Sequence, residues 1–151
     1  MSYICTMSKN KNVMISYVTG FFDADGSITM TKSYKNAKFK TIKVDFTNVE
    51  LSILKEIQEY LLEYDIKTFI STKPARKLTH QVSYALSSNS NQMSLKLCQL
   101  LINSKHPKKI HRIKTVLKYH NIVTKRNGKY SNKEHDRKLA YERLFYSSSF
   151  H

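Results

Sequence analysis

A chain of 151 residues with 40% hydrophobic content can bury a core and is too apolar for a disordered tract. Its 26 Lys and Arg against 11 Asp and Glu give a formal charge of +15 spread over the whole length, which points to a polyanionic partner, because neutralising phosphates releases counterions. Cys5 and Cys98, far apart and outside any CxxC spacing, exclude a disulfide framework and a zinc finger, and no apolar run reaches the roughly 18 residues of a membrane span.

An intracellular, reducing setting and no membrane partner are therefore expected. The opening "MSYICTMSKNKNV" lacks a signal-peptide core and an Arg-rich presequence. An organellar setting, chloroplast or mitochondrion, would suit synthesis within the organelle better than import.

The first element is a helix over 12–24, with Asn10 or Asn12 available to cap it and Gly26 to end it. On a helical wheel Val13, Tyr17, Val18, Phe21 and Phe22 cover more than half the circumference, so burial of this helix is expected. "SITMTKS" and "FKTIKVDFT" then alternate with period two around "YKNAK" and predict a β-hairpin. One face carries Ile28, Met30, Ile42, Val44 and Phe46, and the other Ser27, Thr29, Thr31, Ser33, Thr41, Lys43 and Asp45. An amphipathic helix follows over about 49–64. "IKTFIST" and "HQVSYALSS" predict two more strands, joined through Lys73, Pro74, Ala75, Arg76 and Lys77; both alternations of "IKTFIST" mix apolar with polar, so its wet face stays open. Helices over about 91–103, 107–122 and 134–146 complete the chain. This order predicts an α+β domain over 1–151 with one antiparallel sheet covered on one side.

Within "YVTGFFDADGSITM", Asp23 and Asp25 stand at the end of an apolar helix, where the negative end of the helix dipole disfavours anions. The wheel puts Asp23 beside Ser16 and Thr19 and Asp25 beside Val18 and Phe21, so a counter-charge or metal is expected at Asp25. A calcium loop does not fit: counted from Asp23, its sixth and twelfth places hold Ile28 and Tyr34 rather than Gly and Glu. Gly20 and Ala24, four residues apart, would let a second copy of the helix approach closely. Two Asp25 side chains would then meet near a two-fold axis, and their repulsion would call for divalent cations.

"VTGFFDADG", residues 18–26, resembles the signature motif of the LAGLIDADG homing endonucleases; Gly20, Asp23, Ala24, Asp25 and Gly26 match, while Val18 and Thr19 replace its first Leu and Ala. The helix, hairpin, helix, hairpin, helices order agrees over most of the chain. The resemblance implies the family's α-β-β-α-β-β-α fold with a four-stranded saddle sheet. A single motif resembles the branch that works as a homodimer on double-stranded DNA, cutting both strands of a long, nearly palindromic site.

By that resemblance Asp25, with the backbone carbonyl of Ala24, would bind Mg²⁺ at the scissile phosphate. Lys109 would polarise the water network and Asn48 orient water. The dimer interface would be Thr19, Gly20 and Ala24. DNA contacts would come from Ser27, Thr29, Thr31, Ser33, Lys35, Thr41, Lys43 and Asp45 on the sheet, extended by Lys73, Arg76, Lys77, Gln81 and Ser83. The alternatives weighed are an intron-RNA maturase or non-cleaving DNA-binding protein on the same fold, and a basic ribosomal protein, which accounts for neither the aspartates nor the paired helix. Because only five of the 26 basic residues are Arg, phosphate attraction rather than guanine recognition should dominate affinity.

Overall fold

A computed structural model of the chain describes residues 11–75, 81–88, 90–125 and 129–147. The described elements run α1 (Lys11–Asp25), β1 (Gly26–Thr31), β2 (Thr41–Asn48), α2 (Leu51–Leu62), β3 (Thr68–Lys73), β4 (Ser83–Ser88), α3 (Asn91–Leu100), α4 (Pro107–Val123) and α5 (Asn132–Tyr146). The strands form one antiparallel sheet in the order β1-β2-β4-β3. Its inner face carries the apolar set predicted from the hairpin alternation: Ile28, Met30, Ile42, Val44 and Phe46 are buried, joined by Leu86. Against them pack Val18 and Phe22 of α1, Leu54, Ile57 and Leu61 of α2, Leu97 of α3, Ile113 and Val116 of α4, and Phe145 of α5. All the helices therefore lie on one side, and the polar alternates of the strands face outward.

Local signals set the boundaries. Ser90 caps α3 by accepting from the Met93 amide, and His106 precedes Pro107 at the first turn of α4, where the missing amide costs nothing. Ser131 and Glu134 form a reciprocal capping box on α5, which starts at Asn132 rather than near 134. After α2, Asp65 takes a left-handed φ of 57° and the Ile66 amide returns to the Leu61 carbonyl, closing the helix as a glycine usually would.

The sheet's incomplete pairing is repaired by side chains. β2 pairs with β4 only over Asp45–Asn48, which leaves the amides of Ile42 and Val44 to find other acceptors. Asn91 Oδ1 accepts from the first at 2.8 Å and Ser88 Oγ from the second at 3.1 Å, while Ser94 Oγ donates to the Ile42 carbonyl at 2.8 Å. The start of α3 thus stands in for a missing stretch of strand. At the β1 edge, the Tyr146 hydroxyl accepts from the Met30 amide at 2.8 Å and donates to its carbonyl at 2.9 Å. Arg112 Nη1 donates to the Ile28 carbonyl at 2.9 Å and stacks over Phe145 and Tyr146. Side chains of α4 and α5 cover an edge that would otherwise be open to pairing with another strand.

The first helix is less buried than its apolar circumference predicts. Burial of α1 is confined to Met14, Val18, Thr19 and Phe22, while Val13 is 63% and Tyr17 42% exposed. A helix lying on a single-layer sheet buries one stripe, and this one carries a second, unburied stripe of Val13, Tyr17, Gly20 and Ala24.

Candidate active site and nucleic-acid interface

The two aspartates have opposite fates. Asp23 is half-buried: one carboxylate oxygen accepts from the Ser104 hydroxyl, and the other from the Lys105 amide at 2.8 Å. It ties the end of α1 to the segment leading into α4. Asp25 is exposed and makes no ion pair or hydrogen bond among the described residues. This reverses the wheel assignment, in which Asp25 faced the apolar side. The chain leaves the helix at Asp25 to enter β1, so the angular position extrapolated from the helix no longer sets where that side chain goes.

Lys109, in the first turn of α4, reaches the same helix end. Its Nζ donates to the carbonyls of Phe22 at 2.9 Å and Asp23 at 2.8 Å and lies over the Phe22 ring. It supplies the positive charge that the dipole's negative end favours. Burial lowers the Lys109 pKa, against the carboxylates of Asp23 and Asp25, which raise it. Ala24, Asp25 and Lys109 are thus brought together at one tip.

Gly26 follows at once, and a Cβ there would come within 2.4 Å of Phe22 Cδ1 and 2.8 Å of Phe22 backbone, so only glycine lets the strand leave the helix this closely. Gly20 is different: a Cβ there would meet nothing within 4 Å among the described residues. Thr19, expected at the same interface, is instead buried at 7% exposure with its hydroxyl unpartnered among the described residues. One residue of helix turns it about 100° from Gly20, away from the exposed stripe.

As a cation site the tip offers oxygen donors, the Asp25 carboxylate and the backbone carbonyl of Ala24, which suit a hard ion. Among the described residues no group of three His, Cys, Asp or Glu surrounds it. One chain alone therefore gives too few ligands for a caged ion, and enough for Mg²⁺, which keeps waters and takes one or two carboxylates plus substrate phosphate. Asn48 stands at the end of β2, where its Oδ1 accepts from the Glu50 amide at 2.8 Å ahead of α2; no described hydrogen bond links it to Asp25.

The outer face of the sheet gathers Ser27, Thr29 and Thr31 opposite Asp45, Lys43 and Thr41. Ser33 and Lys35 lie exposed in the turn, Lys73 ends β3, Gln81 is exposed before β4, and Ser83 begins that strand. Arg76 and Lys77 lie outside the described residues. The register settles the wet face of β3: Phe69 pairs with Ser87, itself opposite Asp45, so Phe69, Ser71 and Lys73 share the outer face. Phe69, 43% exposed there, escaped the sequence reading because the strand's own alternation is ambiguous. Ser104 and Ser87, the hydroxyl partners of Asp23 and Asp45, carry no sequence signal of those roles.

The family model described as LAGLIDADG-like domain matches residues 12–151. The archaeal intron-encoded homing endonuclease I-Vdi141I, solved in complex with DNA, shares the fold with a TM-score of 0.61 at 14% identity, over 90% of this chain and 84% of that one. The homing endonuclease I-TnaI does so with a TM-score of 0.59 at 12% identity, over 89% of each chain. At these identities the likeness is one of fold. None of the curated proteins matches the sequence.

Proposed function

The chain belongs to the LAGLIDADG family, and from that premise we propose that it is a site-specific, Mg²⁺-dependent double-strand DNA endonuclease, one such domain per chain, acting as a homodimer on a long, nearly palindromic site. The observation that carries this reading is Asp25: on a chain of net charge +15, its carboxylate stays exposed and makes no hydrogen bond or close ion pair among the described residues, with the Lys109 ammonium in its field, directly before the strand that opens the outer sheet face. A protein that only bound nucleic acid would gain nothing from an anion held toward phosphate.

In this reading Asp25 and the Ala24 carbonyl hold the divalent cation. The chemistry that such a cation would supply there is activation of water and neutralisation of charge at the phosphate, which needs no histidine base. Lys109, anchored on the Phe22 and Asp23 carbonyls, fixes the helix end and places a positive charge beside the reacting phosphate. Asn48 orients water with the amide nitrogen that its turn bond leaves over. The outer sheet face lies in the major groove, where alternate side chains meet base edges. Ser27, Thr29, Thr31, Thr41, Lys43 and Asp45 are the central readers, with Ser33, Lys35, Lys73, Arg76, Lys77, Gln81 and Ser83 extending the footprint.

The homodimer is supported by the exposed stripe of α1. Glycine inside an exposed helix costs about 1 kcal/mol against alanine, and at Gly20 nothing among the described residues requires it. Close approach of a second backbone would.

Selection of cleavable duplexes from a randomised DNA library, with and without Mg²⁺, tests the whole reading. Cleavage at one nearly palindromic sequence, dependent on the cation, is expected. Tight binding without cleavage, or preferential binding of structured RNA, would replace the endonuclease with a non-cleaving or maturase protein on the same fold.

A further inference from the structure

Asp45 is the single carboxylate on the described part of the outer sheet face, among Thr and Lys side chains. Its side chain is 14% exposed, shielded and held rather than loose in solvent. Oδ1 accepts from the hydroxyl of Ser87, a residue 1% exposed, and lies 4.0 Å from Lys43 Nζ. Oδ2 has no partner among the described residues. One oxygen is therefore fixed by the protein, leaving the other as an acceptor on a surface otherwise built to attract phosphate.

An anion so placed weakens binding to every duplex unless a donor on the DNA meets it. In the major groove the donors are the exocyclic amines of cytosine and adenine. Adenine sets the N7 acceptor beside its amine, which repels a carboxylate and suits an amide instead; cytosine presents the amine alone. Across a C·G pair the neighbouring groups are the guanine O6 and N7 acceptors, and Lys43, two residues from Asp45 on the same face, offers the ammonium that matches them.

Resting on the endonuclease reading above, we infer that the Lys43–Asp45 pair, held by Ser87, is a specificity element that selects a C·G base pair at one position of each half-site. Asp45 accepts from cytosine N4 and Lys43 donates to guanine. Ser87 is a positioning residue that fixes the carboxylate without touching DNA.

The test is selection of bound duplexes from a randomised library by the full chain, by Asp45→Asn, which keeps size and shape, and by Lys43→Met, whose exposed side chain keeps its apolar stem. Thermal melts verify folding of each. The wild type should enrich cytosine, with guanine opposite, at one position per half-site. Asp45→Asn should lower that preference by about tenfold or more, toward adenine. It should also bind unrelated DNA more tightly, having lost a repulsive charge, with other positions unchanged. Lys43→Met should relax the same position. Two results would overturn the inference: an unchanged preference in Asp45→Asn, or an affinity shift that is uniform across all sequences. If the wild type enriches no sequence at all, the endonuclease reading fails and this inference with it. That outcome is distinct from enrichment that ignores Asp45.

Discussion

The tip of the first helix and the inner face of the last one both carry charges, and they dispose of them in opposite ways. On α5, Lys138 and Glu142 are buried. The Lys138 Nζ donates to Thr124 Oγ1 at 2.6 Å and lies over the rings of Phe39 and Tyr141, with Glu142 as its carboxylate neighbour. Buried His120 completes the cluster, bonded to the Tyr141 hydroxyl at 3.1 Å. Every charge there is spent on holding the helical layer together. At the tip of α1, Asp23 is spent in the same manner, and Asp25, two residues on, is not. Charges satisfied within the chain maintain a fold, whereas an unsatisfied one on a surface that the fold has otherwise completed is available for a partner.

The contrast can be broken most severely at the exposed stripe. Gly20→Leu should leave the chain folded, since a side chain there meets open space and leucine favours helix. It should nevertheless give monomers by sedimentation and abolish double-strand cleavage; an unchanged dimer would remove α1 from the interface.

Next in size is the buried cluster's response to acid. Burial, then the charge of Lys138, lowers the His120 pKa to about 4. The unfolded chain thus takes up a proton near pH 6.5 that the folded chain refuses until about pH 4. The stability this contributes is complete above the unfolded value and is lost as pH falls through that window, by ~3 kcal/mol. His120→Gln should flatten that part of the acid limb in denaturant melts, and an identical limb would mean that the imidazole titrates normally.

Asp23→Ala should cost about 1–3 kcal/mol, by stranding the Ser104 hydroxyl and the Lys105 amide. Tyr146→Phe removes the clip on the β1 edge and should cost about 1 kcal/mol, seen as faster hydrogen exchange at the Met30 amide. Smallest of all, Asp25→Asn should change stability by less than about 1 kcal/mol, because relief at the negative end of the helix and loss of attraction to Lys109 oppose each other. A loss well beyond that would mean that Asp25 is engaged within the chain as Asp23 is.

The fold was legible wherever periodicity was clean. The hairpin from Ser27 to Thr47 announced both its faces, and the whole order of helices and strands followed from alternation and apolar spacing. Two features resisted. Strand 68–73 mixes polar and apolar residues on both alternations, so only its pairing with β4 reveals that Phe69 faces outward. The aspartates resisted for another reason: a wheel assumes that the helix continues, and this one stops at Asp25. Which carboxylate is held depends on Ser104 and Lys105, some eighty residues away, and no local pattern encodes such a contact.

The central claim is that Asp25 is kept unsatisfied in order to hold a cation against a DNA phosphate. Its most direct test compares wild type with Asp25→Asn on the duplex selected by the wild type, measuring binding and strand cleavage in Mg²⁺. Equal binding with cleavage slowed roughly a thousandfold or more is the predicted result, and cleavage by the variant at near the wild-type rate would contradict it.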